Sequence, residues 1–292
     1  MMKHILLHIL LFACFLLSQY QQAVAQSGWV REKHSFYAKL GYSTFNSDNY
    51  FTLAGAELNS NAFRQHTLSF YGEYGLLNRL TVIANFPFLR FNRFERTEQV
   101  SAIGDLRLEF KYGLLQGAFP VAISIAPEFP TAPADNFATN LDLPSTSTNL
   151  PTGDGEFNIW TTIAASHSFH PLPLYLSIFS AYNFRTEYED QAFRDQLQYG
   201  VEAGYQLFKR IWLLAGLKAQ HSVGEAPEGV LDILRGEGTE FTTYRIATSL
   251  DITPQWSLSA EILGYNDWLA DRRNIFSAPV YGFGVVYSGK LK

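Results

Sequence analysis

Asp105-Leu106-Arg107-Leu108-Glu109-Phe110-Lys111-Tyr112 alternates without a break: each odd position is charged and each even position is apolar or aromatic. Successive side chains of an extended strand point to opposite faces, so this stretch has one ionic face and one greasy face. On a helix the same charges would ring the whole surface, which excludes a helix here. The fold must therefore give an extended segment two different environments, one on each side.

The alternation recurs. In Thr67 to Leu76, Leu68, Phe70, Tyr74 and Leu76 oppose Thr67, Ser69, Tyr71 and Glu73. In Gln196 to Leu207, Leu197, Tyr199, Val201, Ala203, Tyr205 and Leu207 oppose Gln196, Gln198, Glu202 and Gln206. Similar faces separate in Thr243 to Ile252 and in Trp256 to Ile262. Twelve such segments lie near residues 34–44, 63–76, 79–91, 102–115, 118–130, 155–169, 172–187, 193–208, 210–223, 240–253, 255–266 and 275–288. After the even segments the links are tight: near Leu77-Asn78, Gln116-Gly117, His170-Pro171, Lys209 and Pro254. After the odd ones they are longer: 45–62, 92–101, 131–154, 188–192, 224–239 and 267–274.

A soluble antiparallel barrel also alternates, so period two alone does not say which face meets which medium. Strand length and loop sorting decide. These segments exceed the about five or six residues of a common globular strand. Short turns at one end and long loops at the other mark an outer-membrane barrel. The expected fold is all-β: a transmembrane antiparallel up-and-down barrel of about twelve strands, with short periplasmic turns and long external loops. An aromatic share of 15%, with 24 Phe and 16 Tyr, suits strands with aromatic girdles.

Two domains are expected: a signal peptide over residues 1–25 and the barrel over 26–292. Met1-Met2-Lys3-His4 is a basic start, Ile5 to Leu17 is apolar, and Ala23-Val24-Ala25 fits a cleavage site before Gln26. Export would carry the chain to the outer membrane. Leu11-Phe12-Ala13-Cys14 resembles a lipoprotein site at Cys14, but the apolar run continues through Phe15-Leu16-Leu17, which favours plain cleavage. Cys14 is the only cysteine, so a cleaved chain has no disulfide and no thiolate chemistry. A net charge of −5 makes a poor nucleic-acid binder.

If the greasy faces meet lipid, the polar faces line the lumen. The expected lining is Glu73, Asp105, Arg107, Glu109, Lys111, Glu128, Arg185, Glu187, Glu202, Lys218, Arg245 and Glu261. With both signs mixed, two readings stand: acids and bases pair across the interior and brace it, or they tune a solute path. No catalytic, cofactor or metal set is expected. Ser166-His167-Ser168 offers a nucleophile and a base, but neighbours on a strand point to opposite faces, and His167 shares the lipid-facing parity of Ile163 and Ala165. His34, His66, His170 and His221 are scattered without metal-ligand spacing. Pro151-Thr152-Gly153-Asp154-Gly155-Glu156 lacks the ligand spacing of a calcium loop and reads as a turn into the next strand.

Ile103-Gly104-Asp105-Leu106-Arg107-Leu108, then Lys111-Tyr112, then Leu150-Pro151-Thr152-Gly153-Asp154-Gly155-Glu156 resemble the pattern of a family of outer-membrane transporters. That family is named for the meta pathway of phenol degradation. The resemblance covers residues 65–290, and its matching positions are Gly104, Asp105, Pro151, Thr152, Gly153 and Asp154. The first glycine of the family's GxGD pattern is Ala102 here. The resemblance implies uptake of small, often hydrophobic molecules. The expected function is thus a channel or transporter for an unnamed small solute. The alternatives are a structural or surface-interaction barrel with a plugged lumen and a lipid-modifying barrel enzyme. The expected partners are outer-membrane lipids and the barrel-insertion machinery, with the terminal aromatic signal displaced inward to Tyr287. Intact-mass measurement on protein isolated from outer membranes should give a chain beginning at Gln26; a lipid-bearing chain beginning at Cys14 would reverse that assignment.

Overall fold

The computed structural model describes residues 26–225 and 236–291. The expected signal peptide, with Cys14, lies outside the described residues. Twelve long strands form among those described: β1 (Ser35–Phe51), β2 (Glu57–Leu77), β3 (Leu80–Phe94), β4 (Leu106–Leu115), β5 (Val121–Phe129), β6 (Asn158–Ser168), β7 (Leu174–Arg185), β8 (Asp195–Leu207), β9 (Ile211–Val223), β10 (Phe241–Asp251), β11 (Trp256–Asn266) and β12 (Val280–Lys290). Each pairs antiparallel with its neighbours in sequence. β1 also pairs with β12, so Lys39 faces Tyr71 on one edge and Val286 on the other, and the sheet closes. The shortest barrel strand has nine residues, matching the roughly 9–11 that a tilted strand needs to cross a membrane.

All twelve expected segments are strands. The first hairpin is longer than its sequence pattern. Residues 45–62 read as a loop, yet Asn49 pairs with Asn59, Tyr50 with Leu58 and Phe51 with Glu57. Asn46-Ser47-Asp48-Asn49 has no apolar face because this part of the hairpin stands above the lipid. Backbone pairing extends it there, helped by side-chain bonds such as Arg64 Nε to Asn46 Oδ1 (3.3 Å) and Tyr50 Oη to Asn274 Oδ1 (2.6 Å). Short strands at Val100–Ala102, Phe137–Thr139, Ser147–Asn149 and Ile275–Phe276 lie in the same long-loop end. The turns 78–79, 116–120, 169–173, 208–210 and 252–255 share the other end with both ends of the barrel sheet, where Ser35 pairs with Lys290.

The structure decides which face is which. Leu40, Ile246 and Phe283 are 59, 62 and 56% exposed on the outer wall, while Glu73, Glu109 and Lys111 are buried inside. Such a belt of apolar side chains is unsuited to water and suits hydrocarbon. Near the short-turn end Tyr287 packs on Trp256 (4.7 Å between ring centroids) and Phe36 (5.4 Å), the kind of aromatic cluster that settles at a membrane boundary. Ile246 lies mid-strand on this belt. Ile246→Arg should cost about 2–4 kcal/mol in denaturant titrations of the vesicle-folded barrel; a cost near zero would mean that this face does not meet lipid.

Candidate functional site

The inner wall carries charges at the positions that alternation demands, and each must find a partner away from bulk water. At the short-turn end the partner is the chain itself. Residues 26–31 run along the inside of the barrel, and Glu32 and Lys33 lead from there, exposed, into β1. Gly28 N donates to Ser166 Oγ (2.8 Å), which lies 2.8 Å from Ser177 Oγ. Lys111 Nζ donates to Ser27 Oγ (3.3 Å). Trp29 meets Tyr175 edge-on at 5.4 Å. Arg31 N donates to Thr81 Oγ1 (2.7 Å), and Arg31 Nε to Glu73 Oε2 (2.6 Å). One short segment thus touches β2, β3, β4, β6 and β7.

At the long-loop end, the two stretches that carried the family resemblance meet. Asp105 sits just before β4. Its carboxylate accepts from Ala132 N and Asp154 N, both at 2.9 Å. Arg90 Nη1 donates to Thr152 O and Asn92 Nδ2 to Pro151 O, each at 2.8 Å. Gly153 packs so closely that a Cβ there would stand 2.5 Å from Asp105 Oδ2. The loop 130–157 is therefore folded inward onto β3 and β4. Farther round the mouth, Arg185 holds Glu156 with two bonds (2.5 and 2.8 Å), both side chains almost wholly buried. Arg185 also lies 4.0 Å from Glu237, which Arg194 binds at 2.5 Å. In loop 267–279, outside the membrane span, Arg272 grips Asp267 (2.7 and 3.0 Å) and holds its carboxyl below the usual carboxylate range.

Between these two ends lies a cavity of about 420 Å³, a size that fits a small organic molecule. Gln26, Lys39, Tyr71, Phe179, Glu202, Lys218, Arg245 and Glu261 are on its walls. Arg245 bonds Glu261 (2.7 Å) and Glu202 (2.8 Å), and Lys39 bonds Glu261 (3.2 Å). Tyr175 Oη donates to Glu202 (2.8 Å). Higher on the wall, Trp160 Nε1 donates to Glu128 (3.0 Å) and the Arg107 guanidinium lies 4.9 Å from the Trp160 ring centroid. Lys218 Nζ lies 5.6 Å from the ring centroid of Phe241.

Of the expected lining residues, Arg107, Glu128, Arg185, Glu202, Lys218, Arg245 and Glu261 face the interior as alternation requires, and Glu73, Glu109 and Lys111 are buried inside it. Two placements need correction. Glu187 is exposed in the loop beyond β7, because the strand stops at Arg185. Asp105 precedes its strand and pins a loop rather than standing free on the wall. Ser166 points inward, whereas the His167 ring is stacked on Phe119 (4.2 Å) at the outer rim, so the two form no catalytic pair. Alternation could not reveal residues 26–33, which pair with no strand. Their only signal is Trp29-Val30-Arg31, an apolar and basic cluster stranded between the expected cleavage site and β1.

No protein-family model and no curated protein matches the chain. Similar solved structures are outer-membrane barrels. An outer membrane channel from Pseudomonas putida F1 aligns over 92% of this chain and 100% of its own, with a TM-score of 0.66 and 14% identity. The translocator domain of the autotransporter NalP from Neisseria meningitidis covers 99% of this chain and 96% of its own (TM-score 0.53, 8% identity). A deletion mutant of the TodX monoaromatic hydrocarbon channel covers 91% of this chain and 92% of its own (TM-score 0.51, 11% identity). The fold is that of an outer-membrane barrel, and one fold carries different tasks among these proteins.

Hydrogen bonds to a charged group are worth about 1.5–3 kcal/mol, so Asp105→Ala should release loop 130–157 without unfolding the barrel. Protease added outside vesicles should then cut within that loop while the remainder stays resistant. Protection equal to that of the unaltered chain would show that Asp105 is not the anchor.

Proposed function

We propose that this barrel is an outer-membrane channel for small solutes, hydrophobic ones among them. The observation that carries the reading is the internal cavity, walled by both aromatic and charged side chains and set between residues 26–33 and the infolded loop. A barrel that served only as an anchor would gain nothing from an organised chamber. Likeness of fold to a P. putida outer membrane channel and to a monoaromatic hydrocarbon channel supports the reading, as does the resemblance to the phenol meta-pathway transporters. The opposite orientations of Ser166 and His167 weigh against a lipid-modifying enzyme.

In this reading the lumen charges do both tasks considered for them. Pairs such as Arg245–Glu202 brace the wall and present a polar surface to a passing solute. Leader cleavage before Gln26, a surrounding shell of outer-membrane lipid and delivery by the insertion machinery through the Tyr287 end complete the proposal. The second reading, a barrel kept shut, draws on the same bonds of residues 26–33.

Reconstitution separates the two. Wild-type vesicles should admit small neutral solutes in swelling assays. The double variant Trp29→Ala/Arg31→Ala, which frees residues 26–33 from Tyr175 and Glu73, should conduct severalfold more in planar bilayers. If neither protein passes any solute or ion, the barrel is not a channel and the shut-barrel reading stands.

A further inference from the structure

Among the described residues the cavity's charges do not balance: its walls carry three cations, Lys39, Lys218 and Arg245, and two carboxylates, Glu202 and Glu261. Both carboxylates are taken: Glu261 by Lys39 and Arg245, Glu202 by Arg245 and Tyr175. Among the described residues no carboxylate lies within ion-pair distance of Lys218. Its nearest aromatic face, Phe241, offers a weak attraction at 5.6 Å.

The surroundings of Lys218 are shaped as well as charged. Lys218 pairs across the ladder with Gly200, and Gly200 with Phe179. Because Gly200 has no side chain, the Phe179 ring lies down over it; a Cβ there would stand 2.7 Å from that ring. An ammonium and a flat apolar ring thus face the same chamber from positions separated by one bare residue. Trp160 packs with Ala126 and Ala181, with Phe179 beside them, and extends the apolar surface.

We infer that the cavity contains a binding site for a singly charged aromatic carboxylate, its carboxylate on the Lys218 ammonium and its ring against Phe179. The site rests on the reading of the lumen as a solute path and narrows the class of solute. An ammonium with no counter-charge among the described residues, held partly out of water, favours an anion over its neutral isostere. The neighbouring ring supplies the surface that selects an aromatic body over an inorganic ion. A doubly charged ligand would leave its second charge facing Glu202 and Glu261.

The test uses the full chain in nanodiscs of zwitterionic phosphatidylcholine, with benzoate and its uncharged isostere benzamide as probes in titration calorimetry at neutral pH. Benzoate should bind wild type about tenfold or more tighter than benzamide, the scale of one charge-assisted hydrogen bond. Lys218→Met should bring benzoate down to the benzamide level, and Lys218→Arg should keep the difference. Phe179→Ala should weaken both probes together. Equal binding of the two probes to wild type, or benzoate binding by Lys218→Met equal to wild type, overturns the inference. Circular dichroism and resistance to heat in gels verify that each variant is a folded barrel. The swelling assay reports separately on transport: benzoate binding in a protein that admits no solute supports the site while the channel reading fails.

Discussion

In hydrocarbon a peptide N–H or C=O has no water to turn to, and each one left unpaired costs several kcal/mol. Everything else in this protein follows from that demand. A sheet satisfies its inner strands but leaves two raw edges, so a sheet in lipid must close. Here closure falls to β1, which pairs through eleven residues with β12 and through a longer ladder with β2. Closure in turn assigns the two faces of every strand. The outer face takes Leu40, Ile246 and Phe283 to the lipid, and the inner face inherits whatever the sequence has at the alternate positions.

That inheritance sets the second problem. Charges held in a narrow interior are costly unless they are paired and hydrogen-bonded. The barrel solves this partly with its own wall, through Lys39, Arg245, Glu202 and Glu261. It solves the rest with chain drawn in from either end. Glu73 receives Arg31, and Lys111 reaches Ser27, from residues that precede the barrel. Arg90, Asn92 and Asp105 receive the backbone of a loop that would otherwise stand outside. Lumen filling and loop folding are two results of one electrostatic need.

The barrel was legible in the sequence because alternation is a local signal that lipid enforces residue by residue. Asp105 to Tyr112 showed it at its plainest, and the sorting of short and long links supplied the membrane. Where lipid stops, so does the signal. The upper first hairpin, with Asn46 to Asn49, hid its pairing, and Glu187 kept its alternating parity after its strand had ended. The lumen contents were less legible still. That Asp105 would hold Gly153 and Asp154 depends on a contact 49 residues apart in sequence, which periodicity does not encode. The two stretches stood out only as motifs. Their meeting supplies the physical reason for a carboxylate in one and a glycine in the other.

The path of residues 26–31 bears on how the protein can be extended. Gln26, the first described residue, stands on the wall of the chamber. The segment's bonds to Glu73, Thr81, Lys111 and Ser166 all reach the inner wall of the curl formed by β2 to β7. The two ends of the described chain are therefore not equivalent for engineering. Residues joined directly before Gln26 start from the chamber wall, whereas those placed after Leu291 start from an exposed position.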